Sequence, residues 1–268
     1  MKVRPVYNTG APLRWEEPVL RAYARYFCRF IQAYAEEGVH IDLVYPQNEP
    51  VAVQNFPSCI WTAAMLAEFI GRYLGPALEQ AGLDTAIGLG TLNAPISPMG
   101  MMGGGNELGL TPLNTGYADY VQRVMQDPQA ARYVRAIGLQ WASKAFIQQA
   151  RESYPELTLM QTENECGDGR NSWEYARYVF DLFRHYLANG ASVYCYWNMA
   201  LEEGGVSAWG WRQNAMVSVL PGERGYRLEH ECHVMRHFSA LVRPGARRLQ
   251  LRGHWAGNAV AFRNPDGE

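Results

Sequence analysis

Apolar residues along the chain fall into two alternating patterns, one helical and one strand-like. Helix-spaced apolar positions run from Leu20 to Tyr34 and end near Gly38. The same spacing predicts further helices over 58–74 (with Ser58 as its cap), 117–134, 146–154, 173–187 and 229–242. Short apolar runs between them predict strands at 41–45, 86–90, 136–141, 157–162 and 192–197. Strands that alternate with helices of this length indicate βα units and a parallel sheet, so we predict an α/β fold.

The number of predicted strands indicates an incomplete barrel. An eight-stranded barrel needs three more strands, and only 2–7 offers part of another. An open five-stranded sheet would leave unpaired edges. Two strand-like runs near the C-terminus, at 248–251 and 259–262, are typical of the start of a β domain. We therefore expect a partial TIM-barrel catalytic domain over 1–242, the start of a β domain over 243–268, and a chain that is cut at both ends.

Charge and composition narrow the range of partners. The 24 Lys and Arg residues nearly balance the 26 Asp and Glu residues, which disfavours nucleic acid or an anionic membrane as the main partner. The longest uncharged stretch, 85–106, contains two prolines and three consecutive glycines, so we predict no membrane span. Aromatic residues make up 12% of the chain, which favours a site that stacks against sugar rings. The sequence does not decide the cellular compartment of the protein.

Two of the predicted strands end in carboxylates. Glu49 follows the first strand and Glu163 follows the fourth. In a barrel the functional groups lie at the C-terminal ends of the strands, and strands three steps apart in a ring of eight lie nearly opposite each other. A single glutamate at a strand end is most often a solvent-exposed loop residue with no catalytic role. Two on these strands instead predict a pair of carboxylates across a cleft, which is what glycoside hydrolysis requires.

Several motifs resemble those of one enzyme family. The string Gln47-Asn48-Glu49-Pro50 resembles the acid/base segment of glycoside hydrolase family 30, the glucosylceramidase-like enzymes. The segment 162–169, TENECGDG, is similar to the nucleophile strand of one bacterial branch of that family. The segments 196–201, 204–205 and 209–214 resemble its eighth strand and the following loop, and 237–239 and 243–246 resemble the return into its β-sandwich. The resemblance extends from Tyr23 to Glu268.

The resemblance implies a retaining β-glycosidase on a (β/α)8 barrel with an attached β-sandwich. The chain would then supply strands 4–8 of the barrel and the beginning of the sandwich. Glu49 would be the general acid/base, Glu163 the nucleophile, and Asn48 a ligand of the sugar 2-hydroxyl. Retention implies carboxyl groups roughly 5–5.5 Å apart. Glu165 competes with Glu163 for the role of nucleophile, although it lies past the predicted strand end. The expected substrate is a β-linked glycoside, glycolipid or oligosaccharide, and the reaction needs no cofactor.

Other residues are candidates for binding the substrate. Trp197, Trp209 and Trp141 are candidates for stacking against sugar rings. Many relatives carry His-Trp-Tyr where this chain has Gln140-Trp141-Ala142, so the sequence does not predict the polar contacts of that subsite.

Three histidines raise the question of a metal site. They fall at i, i+3 and i+7 on the last predicted helix, at His230, His233 and His237. One helix rarely places three ligands around one ion without a fourth from elsewhere, so we expect no metal.

Two alternatives to a chain that is active on its own remain. In the family the first three strands contribute contacts to the same sugar, and nothing in this chain replaces them. In the first alternative the chain is an inactive fragment or a carbohydrate-binding remnant. In the second, a partner subunit supplies the missing strands.

Overall fold

The computed structural model describes residues 12–52, 56–93, 116–222 and 225–267. They form two compact units, Met1–Met160 and Gln161–Glu268. The helices of the first unit are α1 (Glu17–Glu36), α2 (Ala63–Glu68), α3 (Gly75–Gln80), α4 (Tyr117–Met125), α5 (Pro128–Ala131) and α6 (Ile147–Ser153). Its strands are β1 (Leu43–Val44), β2 (Ala86–Leu92) and β3 (Val134–Gln140). A π-helical turn, Phe69–Leu74, joins α2 to α3, and a 3-10 helix, Trp141–Phe146, precedes α6.

Strand β4 (Thr158–Glu163) runs across the boundary between the units. The second unit continues with α7 (Trp173–Ala188), β5 (Ala191–Tyr194), β6 (Ala200–Glu202), β7 (Val217–Val219), β8 (Tyr226–Leu228), α8 (His230–Ser239), β9 (Arg247–Leu249), a 3-10 helix (Ala256–Asn258) and β10 (Ala261–Arg263). The partial strand predicted at 2–7 lies outside the described residues.

The strands follow the predicted βα order. Strands β1 to β5 lie in one sheet in chain order, and β1–β2 and β2–β3 pair in parallel. The two strand-like runs predicted near the C-terminus overlap β9 and β10, and these strands pair antiparallel. Sequence patterns missed a three-stranded sheet in which β7 pairs in parallel with β6 and antiparallel with β8. Its strands of three residues are too short to show an alternating pattern.

Helix α1 confirms the first helical prediction. Its buried residues, Leu20, Ala24, Cys28 and Ile31, recur every three or four positions and make one apolar stripe. The helix ends at Glu36, and Gly38 follows with a φ of +78°, a conformation that glycine adopts without a steric penalty.

Two helical predictions are wrong in their bounds. The second helix begins at Ala63, because the side chain of Thr62, not that of Ser58, accepts the hydrogen bond from the Met65 N–H. The single helix predicted over 117–134 is two helices. Asp127 caps α5 with its side chain and Pro128 occupies the first turn, so α4 ends before them.

The inner face of β2 and β3 is shaped by one large side chain. Tyr45 follows β1, and its ring lies against Gly88 and Gly138, where an added Cβ would clash with the ring (2.8 Å at Gly138). Its hydroxyl contacts the Met160 sulfur at 3.2 Å. Glycine is therefore required at both positions, and the ring of Tyr45 packs inside the first unit.

The second unit has its own core between α7 and α8. Phe183 stacks on Phe238 of α8 at 4.3 Å between ring centroids and on Tyr194 of β5 at 3.8 Å. Ala176, Val179 and Val234 complete the buried cluster. The two helices therefore fix the position of β5.

None of the helices within the described ranges is both long and apolar enough to cross a membrane.

Candidate active site

The first group of site residues lies where β1, β2 and β3 end, and we call Asn48, Glu49, Thr91, Gln140 and Trp141 the first strand-end group. The segment after β1 is tied to β2 by backbone hydrogen bonds: the Glu49 N–H donates to the Thr91 carbonyl at 3.1 Å, and the Thr91 N–H donates to the Gln47 carbonyl at 3.2 Å. Glu49 has a φ of +47° and is 8% exposed. Its main chain is thereby fixed in a conformation that non-glycine residues adopt rarely.

A bulge in β2 brings Thr91 into this group. Leu89 pairs with Ile137 and Leu92 with Leu139, so three steps on β2 face two on β3. Gly90, with a φ of +108°, allows this because an added Cβ would lie 2.7 Å from the Gly138 carbonyl. The strand predicted at 86–90 ends at Gly90, so the sequence pattern missed this bulge.

The side chain of Asn48 is oriented by two donors. Its Oδ1 accepts from the Thr91 hydroxyl at 2.7 Å and from Gln140 Nε2 at 3.0 Å. The Thr91 hydroxyl also accepts from the Glu49 N–H at 3.3 Å. Since Oδ1 accepts two hydrogen bonds, a contact of the Asn48 side chain with a ligand would use the amide group Nδ2H2 as a donor.

Gln140 and Trp141 mark the end of β3. Gln140 is 2% exposed, and it exchanges two hydrogen bonds of 2.6 Å with Ser143 through its main chain. Trp141 has a φ of +46°, so the chain turns sharply into the 3-10 helix there. Gln140 is predicted to bind substrate, and in the structure its side chain donates to Asn48.

The second group surrounds the end of β4, and we call Glu163, Asn164 and Trp197 the second strand-end group. Glu163 is the last residue of β4, one residue beyond the strand end predicted at 162. Asn164 is 1% exposed, accepts from the Trp197 N–H at 2.6 Å and donates to the Glu165 carbonyl at 2.8 Å. Trp197 is 44% exposed and lies three residues beyond the end of β5, not within that strand as predicted. The buried side chain of Asn164, the residue after Glu163, is thus hydrogen-bonded to the main chain of Trp197.

Glu165, the alternative nucleophile, is held by α7. Its carboxylate accepts from the Tyr178 hydroxyl at 2.9 Å, and its main-chain carbonyl accepts from the Tyr175 hydroxyl. Burial and the nearby Glu165 raise the pKa of Tyr178 above its ordinary value, so this hydroxyl stays a donor at neutral pH.

Trp209 lies at the tip of a tight turn. Val206 and Arg212 form an antiparallel bridge, and the Ser207 N–H donates to the Trp211 carbonyl at 2.8 Å. Trp209 is 45% exposed at the turn between them. The turn presents its ring to solvent, where a flat apolar face can stack against a sugar.

The three histidines lie on α8 as predicted, and the ring of His230 packs edge-on against Trp173 at 5.5 Å. No group of three or more potential metal ligands occurs among the residues that the structure describes.

Comparisons with known proteins show a similarity to one family of glycoside hydrolases. Residues 15–93 match the family model described as the glycosyl hydrolase family 30 TIM-barrel domain. The chain is 28% identical to an endo-1,6-beta-D-glucanase of Aspergillus fumigatus over 91% of this chain and 47% of that protein. It is 24% identical to the lysosomal acid glucosylceramidase of Mus musculus over 92% of this chain and 48% of that protein.

The fold comparison agrees. The crystal structure of SrfJ from Salmonella typhimurium superposes with a TM-score of 0.80 at 22% identity, covering 100% of this chain and 57% of that one. The predicted α/β half-barrel fold is confirmed. The chain is therefore similar to glycoside hydrolase family 30, most directly over residues 15–93. It spans about half the length of the curated relatives that it matches.

Proposed function

We propose that this chain carries the reacting residues of a retaining β-glycosidase, with Glu49 as general acid/base and Glu163 as nucleophile. The observation that carries the proposal is the first strand-end group, in which the Glu49 main chain and the Asn48 side chain are both fixed on Thr91. A carboxyl group beside a fixed amide donor suits a bound sugar, because the carboxyl group can protonate the leaving oxygen while the amide donates to the 2-hydroxyl. The match of residues 15–93 to the family 30 model supports the same assignment.

The proposed reaction has two displacements. The Glu163 carboxylate attacks the anomeric carbon, the glycosidic C–O bond breaks, and the proton of the Glu49 carboxyl passes to the leaving oxygen. Glu49, now ionised, takes a proton from water as that water attacks the same carbon. The glycosyl ester to Glu163 breaks, and both carboxyl groups return to their starting states. Asn48 donates to the 2-hydroxyl, a contact that strengthens in the transition state.

Glucose is the proposed glycone. The names of the two curated relatives above refer to a glucosylceramide and a 1,6-β-glucan, both of which are β-glucosides. Aryl β-glucoside, β-xyloside and β-galactoside with the same leaving group form the panel that tests this choice.

The test of the mechanism uses the 268-residue chain. Glu163→Gln removes the nucleophile, so hydrolysis of the aryl β-glucoside should fall by about 10⁴-fold or more. Glu49→Ala leaves a glycosyl-enzyme that water attacks slowly, and sodium azide should restore turnover and yield a β-glycosyl azide. Glu165→Gln is the matched control, and it should retain most of the activity. Full activity of both the Glu163 and the Glu49 variants would refute the assignment.

Carbohydrate binding without hydrolysis is the second candidate. Two exposed rings favour it, since Trp197 and Trp209 are each nearly half exposed. In that case the wild-type chain binds β-glucan oligosaccharides but turns nothing over, and Glu163→Gln leaves the affinity unchanged.

A further inference from the structure

One buried side chain binds several backbone groups of residues 166–171, which follow Glu163 in the chain. Asn214 is 0% exposed, and its Oδ1 accepts from the backbone N–H groups of Gly169 at 2.7 Å, Asp168 at 3.2 Å and Asn171 at 3.4 Å. Its own N–H donates to the Cys166 carbonyl at 2.6 Å. The chain from 166 to 171, which begins three residues after Glu163, is therefore wrapped around one amide.

Glycine is needed for this close approach. Gly167 has a φ of +70°, and an added Cβ would lie 2.5 Å from Cγ of Asn214. Gly169 has a φ of +80°, and an added Cβ would lie 2.7 Å from Cβ of Arg212. Both residues therefore adopt a backbone conformation and a spacing that a larger residue could not.

Asn214 is itself oriented by a buried carboxyl group. Its Nδ2 donates to Oε1 of Glu231, at the second position of α8, at 2.7 Å. Glu231 is 0% exposed, and burial raises the pKa of this carboxyl. Because Oε1 accepts from Nδ2, the amide oxygen of Asn214 must point the other way, toward the N–H groups of the segment. A buried carboxyl is costly, and here it decides which way the amide faces.

The same stretch of chain also holds the residue after Trp197. Asn198 Nδ2 donates to Gln213 Oε1 at 3.0 Å, and the Met216 N–H donates to the Asn198 carbonyl at 3.0 Å. The stretch 213–216 thus connects to both segments that carry the second strand-end group.

We propose that Asn214 is a positioning residue for the nucleophile segment and that Glu231 sets the orientation of its amide. This inference rests on the role proposed for Glu163. Asn214 touches no reacting atom; it acts through the segment that it binds. A displacement of about 1 Å in such a segment can cost about 100-fold in rate, so the expected effect falls on kcat rather than on KM.

Three variants test the pair. Asn214→Ala removes the acceptor, and we expect kcat to fall about 10- to 100-fold while KM changes less than about threefold. Asn214→Asp keeps the acceptor but places a second carboxyl group in contact with that of Glu231, so kcat should also fall at pH 7. The double variant N214D/E231Q reverses the polarity of the pair, since the amide introduced on α8 can donate to the new carboxylate. It should restore kcat to within about threefold of wild type.

Hydrogen exchange provides a readout that does not depend on turnover. The amides of Asp168, Gly169 and Asn171 should lose protection in Asn214→Ala and regain it in the double variant. Asn189→Ala, which removes the Asn189 side-chain bond to the His185 carbonyl at 2.8 Å, is the control in the same unit. It should lower stability without affecting those three amides.

Each outcome decides one question. If Asn214→Ala keeps the wild-type kcat and protection, or if N214D/E231Q is no better than Asn214→Asp, the positioning role is refuted. If the wild-type chain hydrolyses no β-glycoside while the protection pattern follows the variants as described, the proposed function fails and the role of Asn214 in holding the segment stands.

Discussion

The two strand-end groups are held in place by different means. In the first, Asn48 and Glu49 are bound to β2 and β3, which are seven-residue strands of a parallel sheet. In the second, Glu163 ends β4, but the residues around it depend on buried amides in loops, above all Asn164 and Asn214. A sheet fixes many positions together, whereas a loop network fixes each position through one or two bonds. We therefore expect single substitutions to be tolerated differently in the two groups.

The largest effect should come from the sheet that supports the first group. Gly88→Ala would set a Cβ against the ring of Tyr45, and overpacking of this kind costs about 3 kcal/mol at the upper end of the usual range. Gly257→Ala is the matched control, because its added Cβ meets nothing within 4 Å; it should change stability by less than about 0.5 kcal/mol. The free energies of unfolding in urea compare the two. Equal values would show that Tyr45 does not constrain the sheet.

A smaller effect is expected when one bond of the first group is removed. Thr91→Val deletes the hydroxyl that binds both the Asn48 side chain and the Glu49 N–H, and kcat/KM should fall about tenfold, or about 1.4 kcal/mol. Thr91→Ser keeps the hydroxyl and should stay within about threefold of wild type. A loss of about 100-fold or more in Thr91→Val would contradict the claim that the sheet distributes the support.

The smallest effect should come from the opposite ends of the same strands. His40 lies between Asp42 and Asp84 at 3.2 Å from each, before β1 and β2 begin. The hydrogen bonds to these carboxylates, Asp84 first, raise the pKa of His40 above its ordinary 6.5. The stabilisation is therefore complete below pH 6.5 and is lost as the pH rises through the folded-state pKa.

His40→Asn should lower the melting temperature slightly at about pH 5.5 and not at about pH 8.5. Activity should be unchanged, because the candidate site residues described above lie at the other end of the strands. A reduced kcat in this variant would show that the two ends of the strands are coupled.

Much of the fold follows from periodicity, and the exceptions have local causes. Helices α1 and α7 and strands β2, β3 and β4 have long apolar patterns, so the sequence predicts them closely. The stop at Asp127-Pro128 is a capping signal that outweighs the helical spacing on both sides. The start at Thr62 instead of Ser58 depends on which hydroxyl reaches a backbone N–H, and spacing does not reveal this.

The candidate site was predictable only in part. Strand ends and motifs identify Glu49 and Glu163 because carboxylates there are conspicuous in the sequence. Thr91 and Asn214 are different, since each acts through partners more than 40 residues away along the chain. A buried threonine or asparagine has no sequence pattern of its own, so its role appears only when the chain is folded.

The central claim is that Glu163 is the nucleophile, and covalent trapping tests it most directly. A 2-deoxy-2-fluoro-β-glucosyl fluoride slows the second displacement more than it slows departure of the good leaving group, so the glycosyl-enzyme accumulates. Peptide mass spectrometry should then find one fluoroglucosyl group on Glu163 and none in Glu163→Gln. A label on Glu165, or turnover of an aryl β-glucoside without any trapped ester, would contradict the account.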